Sequence, residues 1–261
     1  MSQQSELNEA AQYIACGNLE AFRALLEKNR DRVVERGNEL LNALASTDIE
    51  HETHPEMVRL LAKIGVDLEP RRKLPPVRSA ASLGNVRVLG ALLESGASPD
   101  GWHGDLRSPL AEAIYWNNTA IIRLLLNHGA AISELRTAAG TGMMDRLSEL
   151  MESKIHERHV RDEAFVYACR NHRFEAAEFM LKNGACVNAR EPGDWQPKGQ
   201  CATCLHLACS RGDREIVVFL LQHGADLAIR DDLWKATALG WAEHNEQEEI
   251  ARYLRSQRAP L

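Results

Sequence analysis

The residues with the most evident chemistry stand together at Cys201-Ala202-Thr203-Cys204-Leu205-His206-Leu207-Ala208-Cys209. Taken alone, the C-x-x-C-x-H-x-x-C spacing suggests zinc, because thiolates and imidazoles are its usual ligands. It also suggests a redox pair, since Cys201 and Cys204 at a helix start would have a lowered thiol pKa. Two further pairs, His51/His54 and His156/His159, place imidazoles three residues apart, a spacing that serves a metal on a helix. Neither has the H-E-x-x-H arrangement, and both fall in charged segments expected to be solvated loops. Arg71-Arg72-Lys73 ahead of Pro75-Pro76 is expected to be a solvated connecting segment rather than a phosphate site. No Gly-rich phosphate loop, no G-x-S-x-G and no isolated carboxylate pair stands out. The chain is therefore expected to be no enzyme and to need no cofactor.

The elements that carry these residues follow from composition and periodicity. Lys and Arg number 31 against 37 Asp and Glu, a net charge of −6. A nucleic-acid binder would usually show a basic face, so none is expected as a partner. At 44% apolar and 26% charged residues the chain reads as globular. The longest strictly apolar runs, such as Ile216 to Leu221, are far too short to span a membrane. Met1 to Glu6 has no basic stretch followed by an apolar one, so no secretory leader is expected. Six Cys then fit the reduced thiols of a cytoplasmic protein.

Internal order is the strongest signal. Gly-Ala recurs at Gly96, Gly129, Gly184 and Gly224, with Gly65-Val66 as a variant, at spacings of 31, 33, 55 and 40. An apolar quartet precedes each: Val88, Leu89, Leu92, Leu93; Ile121, Ile122, Leu125, Leu126; Ala176, Ala177, Met180, Leu181; Ile216, Val217, Leu220, Leu221. Positions i, i+1, i+4 and i+5 form one stripe on a helix. A turn precedes each stripe (Gly84-Asn85, Asn117-Asn118, Gly142, His172, Gly212-Asp213), and an Ala-rich helix precedes each turn. The unit is a small-residue helix, a tight turn, a Leu-rich helix and a terminating glycine. One such pair cannot bury its own face and must stack on the next.

These residues resemble the ankyrin repeat. The best match runs from Thr203-Cys204-Leu205-His206-Leu207-Ala208-Cys209 to Gly212-Asp213 and on to Gly224-Ala225-Asp226; Ser108-Pro109-Leu110 and Asn183 to Ala189 match as well. The resemblance implies an all-α solenoid of about eight helix pairs with short β-hairpin fingers, irregular in pairs 1, 2 and 5. A single domain over 1–261 is expected. It would divide into 7–36 (N-terminal capping pair), 37–70 (with an insertion, Asp48 to His54), 71–100 and 101–132 (regular) and 133–160 (shortened). The rest would be 161–200 (extended finger), 201–230 (best match) and 231–255 (C-terminal capping pair). Lys154 to Val160 would replace a finger.

In this register Cys204 stands where the family has Pro. His206 stands at the family's own His, whose usual work is structural hydrogen bonding, and Cys209 replaces a packed Ala, as does Cys169. Buried structural roles are the preferred reading, with a zinc- or redox-responsive module as an alternative. The family mostly binds proteins, through finger tips and the ends of the first helices. Those positions hold Tyr115, Trp116 and Arg211 before the turn, and Trp102, Arg190 and Arg230 at the fingers. Trp234 falls at a finger tip and Trp195 in the finger extension. Trp, Tyr and Arg are the residues enriched at binding hot spots, so these eight are the candidate contacts. Trp241 aligns with Leu207 and is expected in the core. The expected function is a scaffold, adaptor or inhibitor that binds a protein partner in a concave groove and is monomeric when unbound. A self-associating solenoid is the other alternative.

Overall fold

The structure, a computed structural model, describes residues 3–47, 49–70, 75–101, 107–190 and 202–257. Among them are sixteen helices, in two compact units, Met1–Ala131 and Ile132–Leu261. None is long and apolar enough to cross a membrane.

The first unit contains α1 (Gln3–Ala15), α2 (Leu19–Lys28), α3 (Arg30–Ala45), α4 (His54–Ile64), α5 (Pro76–Leu83), α6 (Val86–Glu94), α7 (Pro109–Tyr115) and α8 (Thr119–Asn127). First helices of successive pairs stack in one row, α3 on α5 on α7, and second helices in another, α2 on α4 on α6 on α8. The stripes that the periodicity picks out are buried: Val88, Leu89 and Leu92 in α6, Ile121 and Leu125 in α8.

The second unit contains α9 (Leu135–Thr141), α10 (Met144–Ser153), α11 (Arg158–Arg170), α12 (Phe174–Lys182), α13 (Cys204–Arg211), α14 (Arg214–Gln222), α15 (Ala238–His244) and α16 (Glu248–Gln257). Here α9, α11, α13 and α15 form the row of first helices. Ala138, Ala139, Ala164, Ala168 and Ala208 are buried along it, small enough for the helices to approach closely.

Turn chemistry sets the spacing of both units. A left-handed residue ends the first helix, Gly84 at φ 77° and Asn117 at φ 53° among them. The next residue caps the second helix: Asn18, Asn85, Asn118 and Asp213 each accept the N–H three residues on. That bond satisfies one of the donors every helix start leaves unpaired. The second helix then ends in a Schellman closure. Ala97 N donates to Leu92 O at 3.0 Å and Ala225 N to Leu220 O at 2.9 Å, with Gly96 and Gly224 left-handed between. Of the fingers, two isolated antiparallel bridges are seen, Arg190 with Thr203 and Arg230 with Thr237.

The irregular pairs depart where the turn residues do. Only Asn29 separates α2 from α3, leaving no room for a finger, and residues 46–53 divide α3 from α4. Met143 and Arg173 stand at N-cap positions without a capping side chain. Lys154 to Val160 is only partly a loop, because α11 begins at Arg158. The divisions expected at 36/37 and 160/161 fall inside α3 and α11. The two histidine pairs are not solvated loops throughout. His54 is fully buried and donates from Nε2 to Ile14 O at 2.9 Å, and His156 is buried with Nε2 2.8 Å from Leu150 O.

Candidate partner-binding site

Two surfaces carry exposed aromatic side chains, one in each unit. In the first unit Trp116 caps the C-terminus of α7, its N–H bonded to Glu112 O at 3.0 Å. Its side chain is 51% exposed. Tyr115 is not exposed with it: at 6% it lies beneath, edge-to-face with Trp116 at 5.0 Å. The buried Arg107 guanidinium stacks 5.0 Å from the Tyr115 ring. Below them Glu112, at 0% exposure, receives Arg78 Nη2 at 3.0 Å. The indole therefore stands on a base held by rings and charge. The exposed Leu83 occupies the same repeat position one unit earlier, 116 − 83 = 33 residues away.

In the second unit the last finger is organised by Asp231. Its carboxylate, 1% exposed, accepts four N–H groups: Leu233 N (2.8 Å) and Trp234 N (2.6 Å) on Oδ1, Ala236 N (2.8 Å) and Trp241 Nε1 (3.1 Å) on Oδ2. Burial alone would raise this carboxyl, but the bonds from Trp241, Trp234, Ala236 and Leu233 outweigh it and hold the pKa below the ordinary value. The finger presents Trp234, 60% exposed, at 5.2 Å and 65° to Trp241. Trp241, expected in the core, is only half-buried and walls a slot of about 420 Å³ with Trp234, Ser210, His244 and Asn245.

The candidate arginines serve the fingers. Arg190 reaches Arg230 O at 3.2 Å and Asp232 Oδ1 at 3.2 Å, and Arg230 reaches Lys235 O at 2.7 Å. Arg211 is exposed at the end of α13, with Nε 3.2 Å from Leu207 O. Thus Arg190 reaches from the preceding finger to the one that carries Arg230 and Trp234, and Trp116 belongs to the first unit. Trp102, Trp195, Cys201 and Arg71 to Lys73 lie outside the described residues. The register puts Leu83 at the same pre-turn position as Trp116, although it was not among the eight candidate contacts. Sequence reasoning missed Asp231, which had no signal beyond a turn-forming Asp before a short gap.

The cysteine cluster is packed and hydrogen-bonded. Thr203 caps α13, and His206 Nδ1 accepts Thr203 N at 3.3 Å, closing a capping box. His206 Nε2 lies 3.2 Å from Ala236 O, so both ring nitrogens are engaged. Burial pushes the Cys169 thiol well up, with the Cys204 thiol adding to it, and pushes Cys209 up to about 12. A raised thiol pKa works against nucleophilic chemistry at these two positions. Among the described residues no group of three His, Cys, Asp or Glu side chains converges to hold a metal.

Comparison with known proteins accounts for the helix pair. Residues 105–137 match the ankyrin repeat family model, and residues 191–260 match a model of three ankyrin repeat copies. The chain is 30% identical over 169 residues to the ankyrin repeat and KH domain-containing protein mask-1 of Caenorhabditis elegans. That match spans 60% of this chain and 6% of the relative's length. The human ASB11 ankyrin repeat domain aligns over 97% of this chain and 98% of its own, at 20% identity and a TM-score of 0.41.

Proposed function

We propose that this chain, an ankyrin-repeat protein, is a non-enzymatic adaptor or inhibitor that binds its protein partner through the aromatic surfaces of its two units. The repeat is a general protein-interaction module, and in this chain the reading rests on one observation. Trp116 and Trp234, two of the largest side chains available, are 51% and 60% exposed. Each stands on a fixed base: the Tyr115, Arg107 and Glu112 stack under Trp116, and the Asp231-braced finger under Trp234. Rigid aromatic anchors cost little entropy to immobilise on binding, and truncating such anchors typically costs about 2 kcal/mol or more. Leu83 extends the first surface by one repeat; Arg211 borders the second.

The test is a pull-down from lysate with the wild type and with Trp116→Ala and Trp234→Ala variants of equal helicity. A protein retained by the wild type and lost by either variant supports the reading. Identical retention across all three refutes it.

A further inference from the structure

The slot between the last finger and α15 has a chemistry of its own, and the inference drawn from it rests on the scaffold reading above. Two indoles meet there edge-to-face, at 65° with centroids 5.2 Å apart, and both line a space of about 420 Å³. An indole face attracts a cation more than a neutral group, because the ring quadrupole is negative on its face. Trp241 donates its Nε1–H to Asp231 at 3.1 Å. A carboxylate on the indole N–H pushes electron density into the ring and deepens that attraction. The same carboxylate is bonded to the backbone N–H of Trp234, so a buried negative charge backs the Trp241 ring and fixes the finger that carries Trp234.

The groups at the mouth fit this. Ser210 and Asn245 offer neutral oxygens, His244 is the titratable side chain of the lining, and among the described residues no Lys or Arg lines the slot. Of the finger cations, Arg190 reaches Asp232 and Arg230 the Lys235 carbonyl, and Lys235 itself does not line the slot. We infer that the Trp234–Trp241 slot receives a cationic side chain, arginine or lysine, from the partner protein. The guanidinium or ammonium would lie against the indoles with its methylene stem along Ala236 and Gly240.

The experiment uses the full chain labelled at the tryptophan indole nitrogens, with the Trp234 and Trp241 resonances assigned from Leu variants. The probes are the peptides acetyl-Gly-Arg-Gly-amide and acetyl-Gly-citrulline-Gly-amide, which share a shape and differ in charge. The arginine peptide is expected to shift the Trp241 indole signal saturably and the citrulline peptide to bind at least fivefold more weakly. Trp234→Leu, which alters an exposed tip, is expected to weaken the arginine peptide at least tenfold. Equal binding of the two peptides would overturn the inference and make the slot an apolar one. So would the absence of any saturable shift with arginine, or unchanged binding in Trp234→Leu. In the first case a partner still lost from Trp234→Ala keeps the scaffold reading alive. Arginine binding with no Trp234-dependent partner would instead remove this slot from that reading and leave its chemistry standing.

Discussion

Gly37 and Gly90 both sit inside helices, yet the same added methyl group should move stability in opposite directions. A Cβ on Gly37 would stand 2.8 Å from Val66 Cγ1, and Val66 is buried and pinned by its N–H to Leu61 O at 3.1 Å. Gly37→Ala is therefore expected to cost about 1–3 kcal/mol by overpacking. A Cβ on Gly90 would meet only Leu124 Cδ2 at 3.9 Å. Gly90→Ala is expected to stabilise by about 0.5–1 kcal/mol, the entropy glycine loses in a helix. Urea unfolding followed by circular dichroism decides both signs; a stabilising Gly37→Ala would contradict the packing. His54 and His206 give a pH prediction. Burial lowers both pKa values from 6.5, although each ring bonds a carbonyl. Each Nδ1 accepts a backbone N–H, so a proton there would face another donor. Above 6.5 both are neutral in either state; below it the unfolded chain takes up protons the native chain refuses, so stability falls as pH falls. The urea midpoint should drop between about pH 7.5 and about 5.5, and drop less in His54→Gln. A midpoint that rises on acidification would contradict the assignment. The role of His206 was legible from the repeat; that of His54 was not, because an insertion hides its register.

At the scale of elements, charge ties successive first helices together. Arg78 of α5 reaches Glu112 of α7 at 3.0 Å, and Arg136 of α9 reaches Glu163 of α11 at 2.9 Å. Glu112 is fully buried, so removing Arg78 strips its carboxylate of a partner that water cannot replace. Arg78→Ala is expected to destabilise by about 3 kcal/mol. Arg146→Ala, which breaks an exposed pair with Glu149 and an exposed bond to Ile132 O, should cost no more than about 1 kcal/mol. Equal losses in thermal melts would show that burial does not govern these pairs. The helices themselves were legible, because period, capping residue and terminating glycine agree at each repeat. Where they disagree, as the sequence indicates for the short pair five, the repeat is incomplete. Pair five lacks a capping side chain at Met143 and a finger after α10. The space left is a hollow of about 670 Å³ beside the fully exposed Ile155. The ion pairs were illegible, since Arg and Glu 34 or 27 residues apart look like ordinary surface charge until the helices stack.

At the scale of the molecule, the sixteen described helices present repeat surfaces, one in each unit carrying an exposed indole. The proposed site was half legible. Trp116 and Trp234 are exposed where the repeat register puts contacts, whereas Tyr115 is buried and Trp241 only half-buried. Register fixes backbone position, but the neighbours decide which of two adjacent aromatics is covered. Arg107 and Trp116 cover Tyr115; the slot leaves part of Trp241 open. The most direct measurement is a calorimetric titration of the purified partner with the wild type and with Trp116→Ala/Trp234→Ala, the two proteins matched in helicity and melting temperature. At least a tenfold weaker Kd in the double variant is the predicted result, as hot-spot anchors require. An unchanged Kd would contradict the claim that these exposed indoles are what the protein uses to bind.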